Sequence, residues 1–162
     1  MSFDWLPPWY IPGLPLVEDA LTALLEPLFP NDVAQPVEVA NQLPDGVMET
    51  GWVGRLLIIT RFGGAADLRA DQAAVQIAAV TNRRGYSLVL NGFVRDVLLS
   101  INEPIDIELP DGRIVTLTDA VETTGPEEIL GEDYDERIVP STFLLTFDNP
   151  LHTPDYSGHL GL

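Results

Sequence analysis

The sequence predicts an α+β domain, a mixed but mainly antiparallel sheet of five or six strands with two helices packed on one face. Three observations carry this. Residues 14–28 and 83–101 repeat apolar side chains at helical spacing. Apolar runs of strand length lie between and after them, at 53–62, 73–80 and 137–147. Pro110-Asp111-Gly112 separates two further short runs as a hairpin turn does. Two helices suffice to cover one face of such a sheet.

Taken in order, the chain opens with an arm over residues 1–15, where Phe3, Trp5, Trp9 and Tyr10 alternate with Pro7, Pro8, Pro12 and Pro15. Proline at this density excludes a helix or a central strand, so the arm is extended. Its aromatics need a place to bury, either on the chain's own domain or on a neighbouring subunit. The domain proper is expected over residues 16–149 and a C-terminal tail over 150–162. The first helix places Leu16, Val17, Ala20, Leu21, Leu24, Leu25 and Leu28 on one stripe. Glu18 and Asp19 sit in its first turn, where the helix dipole favours acids, and Pro27 and Pro30 end it.

A short strand at 37–40 leads through a Leu43-Pro44-Asp45-Gly46 turn to the strand at 53–62. There Leu56, Leu57, Ile58 and Ile59 run without alternation, as in a strand covered on both faces. Gly63-Gly64-Ala65-Ala66-Asp67 reads as a flexible loop. The next strand puts Val75, Ile77 and Ala79 on one face. Asn82 is the expected cap of the second helix. That helix's stripe is Tyr86, Leu90, Phe93, Val97 and Ile101, with Val89, Val94 and Leu98 beside it. Pro104 stops it, and strands at 105–109 and 113–121 flank the hairpin turn. An acidic segment, 122–136, precedes the last strand.

At 162 residues with 46% apolar content, the chain is long enough to bury roughly 70% of its unfolded surface without staples. It has no cysteine, which excludes disulfides, thiolate metal sites and cysteine nucleophiles together. The opening residues Met1 to Trp5 lack the basic and apolar parts of a signal peptide, and no apolar run approaches the ~20 residues of a bilayer span. Folding in a cytoplasm, with no membrane partner, is the expectation. Twenty-five acids against eight bases give a net charge of −17, and every base is an arginine. Such a chain repels nucleic-acid backbones; the charge either serves solubility alone or lines a surface that DNA touches without being held.

Recognised chemistry is missing. Gly63-Gly64 is not followed by Lys-Ser or Lys-Thr, and the chain contains no lysine, so it has no phosphate-binding P-loop. His152, His159 and Asp155 lie in the tail without the spacing of a zinc site. A triad of Ser141, His152 and Asp148 lacks a nucleophile elbow. The acids of 122–136 do not follow a calcium-loop pattern. No catalytic residue, metal or cofactor is therefore expected.

The order of features resembles the tail-terminator family of long-tailed, siphovirus-type bacteriophages. The matching pieces are the helix from Leu16 to Leu28, Leu43-Pro44, Leu56 to Gly64 with Asp67, Val75 to Arg84, Val94-Arg95 with Leu98, and Pro140 to Phe147. The arm and the acidic segment depart from that pattern. The resemblance implies a structural protein of the virion, assembled in the host cytoplasm. It forms a ring, usually of six, that caps the tail tube, stops its polymerisation and meets the head-closure or neck proteins, while DNA passes without specific binding. It brings no catalytic residues. On this reading Trp5, Trp9, Tyr10, Arg83 and Arg84 are the expected oligomer interface. Glu127, Glu128, Glu132, Asp133, Asp135 and Glu136 are expected to face the channel, because only Arg137 adjoins them and buried unpaired carboxylates cost several kcal/mol each. The rival readings are another neck or tube component, a small enzyme or ligand-binding protein, and an acidic DNA mimic.

Overall fold

The computed structural model describes residues 4–67, 69–126, 136–148 and 155–161. Helix α1 is Val17–Leu25 and runs on into a 3-10 turn, Glu26–Leu28. Strands β1 (Val37–Ala40), β2 (Arg55–Ala66) and β3 (Ala70–Val80) precede helix α2 (Arg84–Leu99). Strands β4 (Ile105–Glu108), β5 (Ile114–Thr124) and β6 (Ile138–Asp148) follow, and a 3-10 turn at Ser157–His159 closes the described chain. The six strands form one mixed sheet in the order β1-β2-β3-β6-β5-β4. Only the β1–β2 pair is parallel.

Both helices lie on one face of the sheet. Val17, Ala20, Leu21 and Leu25 of α1 and Leu90, Val94 and Leu98 of α2 join one buried cluster with Leu57, Ile59, Val75, Ile77, Phe143 and Leu145. The centre of the expected α1 stripe is buried, whereas Leu16 and Leu28 at its two ends are exposed because they lie outside the helix. The helix tightens at Glu26 because Pro27 has no N–H for the next intrahelical bond. On the other face the 41–54 connection folds Val47 against Leu56 and Val80, with Trp52 alongside.

One expectation fails through strand pairing. Gly63 to Ala66 are not a loop: they continue β2, opposite Ala74 to Asp71 of β3, beyond a bulge between Arg61 and Gly63. Gly64 is required there. Its φ is +92°, and a Cβ would fall 1.9 Å from the Gln72 carbonyl oxygen. The turn that follows is held by Asp67, whose Oδ1 accepts the N–H groups of Arg69 and Ala70 and whose carboxyl is thereby held below its usual range.

Helix α2 is rotated from the expected stripe. Ser87, Leu90, Asn91, Val94 and Leu98 are buried, whereas Tyr86, Val89 and Phe93 are exposed. Two polar side chains go inward because the strands supply partners. The Asn91 Nδ2 donates to the Val139 carbonyl (2.9 Å), and its Oδ1 accepts from the Ser141 hydroxyl (2.7 Å). Ser87 donates to the Arg137 carbonyl at 2.5 Å. Asn82 does not cap the helix. Arg83 occupies that position without a side-chain cap, and Thr81 secures the turn instead, donating to the Arg83 carbonyl (2.7 Å) and accepting from its N–H (3.2 Å).

The sheet has two distinct ends. The β2–β3 turn and the β4–β5 turn share one, the hairpin end. Arg55, Thr81, the start of α2 and the start of β6 share the other, the far end.

Candidate interaction surfaces

The arm is anchored at the hairpin end. Asp111 orients Arg113, bonding its Nε at 2.7 Å, and the guanidinium donates to the carbonyls of Pro12 and Gly13, both at 3.0 Å. The Arg113 side chain and backbone N–H both hold the Asp111 carboxyl below its usual range, the N–H more strongly. Upstream, the prolines bend the arm into a turn closed by the Tyr10 N–H on the Pro7 carbonyl. Trp9 stacks flat on His159 at 3.9 Å, Tyr156 packs beside Trp9 and Tyr10, and the Tyr156 hydroxyl donates to the Ile11 carbonyl. Arm and C-terminal segment thus form one aromatic knob. Its rings stay accessible: Trp9 and Tyr10 are each 42% exposed and Trp5 is 73% exposed. His159 is exposed, but its ring is a stacking partner. No signal in the spacing of residues 9 and 159 marks this pairing.

Arg83 and Arg84 are at the far end, remote from the arm. Arg83 adjoins a groove of about 460 Å³ between the end of α1 and the outward face of α2, lined chiefly by Leu28, Phe29, Arg55, Tyr86, Val89 and Phe93. Phe29 and Phe93 meet at 5.4 Å. Arg83 lies 5.6 Å from the Tyr86 ring centre. Arg84 donates to the Glu136 carbonyl, and Arg55 to that of Gln35. The five expected interface residues therefore form two separate surfaces.

Of the expected channel-facing acids, Glu136 is exposed at the far end. Glu127, Glu128, Glu132, Asp133 and Asp135 lie outside the described residues. The acidic run is also less isolated than its sequence indicates. Glu122 belongs to β5 and takes a two-pronged bond from Arg95 of α2, with Nη2 to Oε1 at 2.9 Å. That bond holds the Glu122 carboxyl below its usual range. A second pair escaped sequence reasoning altogether. Arg61 bonds both oxygens of buried Asp71, at 2.6 and 2.7 Å, across the β2 bulge. Glu18 of α1 accepts the Arg61 N–H at 3.2 Å.

The paper triad does not assemble. Ser141 is buried and bonded to Asn91, and Asp148 is seven residues along the same strand, about 23 Å away at ~3.3 Å per residue. Among the described residues no group of three or more His, Asp or Glu side chains converges as metal ligands, and no helix is long and apolar enough to cross a membrane.

A family model described as phage tail termination protein matches residues 13–154, which contain both helices and all six strands. No curated protein matches the chain.

Proposed function

We propose, from the premise that this chain belongs to the phage tail termination proteins, that its copies close into a ring, six in number, on the head-proximal end of the tail tube. The ring stops tube polymerisation and presents its other surface to the head-closure or neck protein. Its role is architectural: no catalytic residue and no cofactor take part. It resides in the tail of the virion after assembly in the host cytoplasm.

The observation that carries this reading is the family match over residues 13–154. The distribution of residues supports it. Trp5, Trp9, Tyr10, Arg83 and Arg84 serve the subunit contacts, since exposed aromatics and arginines are favoured interface anchors. Glu127, Glu128, Glu132, Asp133, Asp135 and Glu136 face the channel. A net charge of −17 per subunit lets DNA slide past without adhering.

The test is tube-length control. Purified tail-tube protein should polymerise to unlimited lengths alone and stop when this protein is added. Negative-stain microscopy should show one ring per tube end. Unchanged length distributions, together with a strictly monomeric mass in native mass spectrometry at every salt concentration, would reject the reading. Self-repulsion makes ring formation stronger as salt rises, because screening shortens to about 8 Å at 0.15 M.

A further inference from the structure

The knob and the groove are both exposed and apolar, and one chain cannot join them. Arg113 pins Pro12 at the hairpin end, and Trp9 is three residues away, within about 11 Å of that anchor. Arg55 and Thr81 bound the groove at the far end. Between the two ends runs β3, whose eleven residues span about 33 Å.

Building on the ring reading above, we propose that the aromatic knob of one copy, Trp9 and Tyr10 backed by Tyr156 and His159, seats in the Phe29–Tyr86–Phe93 groove of the next copy. Charge selects this occupant. Arg55 lines the groove and Arg83 lies over its Tyr86, and among the described residues neither meets a carboxylate. By contrast Arg61, Arg95 and Arg113 are each paired with an acid. The knob carries Asp4 and Asp155. In a chain of net charge −17, a second copy is repelled by most of the surface but meets here two arginines that no described carboxylate pairs. The guanidinium already over Tyr86 gives the groove a second means of holding an aromatic ring. Because the two surfaces differ and sit at opposite ends, the contact is head-to-tail. Repetition by rotation closes a ring, whereas a groove meeting a groove stops at a dimer.

The cysteine-free chain offers a direct test, since each introduced thiol is unique. Full-length Tyr10→Cys and Val89→Cys proteins are mixed and treated with a short bis-maleimide, with Leu43→Cys replacing Val89→Cys as the exposed control. The 10–89 product is expected at about ten times the yield of the 10–43 product, the ratio that 1.4 kcal/mol of contact energy gives. The double Tyr10→Cys, Val89→Cys protein should give a ladder of oligomers. In parallel, Trp9→Ala disables the knob and Val89→Asp the groove. Each alone should stay monomeric, and their equimolar mixture should stop at a one-to-one dimer. A dominant 89–89 product, a 10–89 yield equal to the control, or no dimer in the mixture overturns the proposal. Closed wild-type rings without the 10–89 cross-link reject the knob and leave the ring reading standing. Open cross-linked chains that never close support the knob and reject the ring. A strictly monomeric wild type rejects both.

Discussion

The two faces of this sheet share a backbone and almost nothing else. On the helix-covered face, Val75 and Ile77 of β3 and Phe143, Leu145 and Phe147 of β6 are buried in one continuous cluster. One residue along each strand the chemistry changes to Gln72, Gln76, Thr142 and Thr146, with Thr123 and Thr142 bonded hydroxyl to hydroxyl at 2.8 Å. Among the described residues the second face has one small buried cluster of its own, Val47, Leu56 and Val80 at the far end. Period-two alternation thus assigns stability to one face and leaves the other half-solvated. Several aromatics of α2 and the arm, among them Tyr86, Phe93, Trp9 and Tyr10, stay exposed outside that core.

Neighbouring positions on β6 test this contrast most sharply. Phe143→Ala on the helix face should cost about 3–5 kcal/mol, visible as a large fall in the urea midpoint. Thr142→Ala on the other face should stay within about 0.5 kcal/mol of wild type. Equal effects would mean that the faces are not energetically distinct.

A smaller loss, about 2 kcal/mol, is expected from Gly64→Ala. There the backbone itself is too close for a side chain, so neither face's composition matters. The loss should appear as early amide exchange in the β2–β3 hairpin. A neutral Gly64→Ala would show that the β2 end re-forms without its close approach to Gln72.

Removing residues 1–12 takes away no residue of either buried cluster. The thermal midpoint should therefore move by no more than a few degrees, since 1 kcal/mol corresponds to about 4 °C at this size. Self-association should weaken. A collapse of the midpoint would place the arm in the core.

The smallest effect belongs to Glu122→Gln, at the edge of the helix-covered face. Arg95 lowers the Glu122 carboxyl in the folded protein, so the pair's contribution is complete above the unfolded carboxylate value and fades as pH falls through the lower folded value. Wild type and Glu122→Gln should differ slightly at pH 7 and converge below about pH 4. A gap that persists in acid would assign the effect to packing and not to the ion pair.

Much of the architecture followed from residue order alone. The apolar stripe of α1, the β1 segment, the Pro110-Asp111-Gly112 turn and the strand cores around Ile58, Ile77 and Leu145 were legible, because each is a local pattern with its own period or turn chemistry. The arrangement that resembles tail terminators was legible too, and the family match confirms it.

Only tertiary structure decided the rest. Gly63 to Ala66 became strand because β3 supplied pairing partners that no propensity encodes. Asn91 turned inward and Phe93 outward because carbonyls and a hydroxyl on β3 and β6 satisfied the amide, and hydropathy cannot register a partner 48 residues away. Arg61 with Asp71, Arg95 with Glu122, and Trp9 with His159 are likewise meetings of distant residues. The separation of Trp9 and Arg84 to opposite ends of the subunit belongs to the same class. Sequence names the side chains suited to an interface, but the length and register of β3 determine that they form two surfaces.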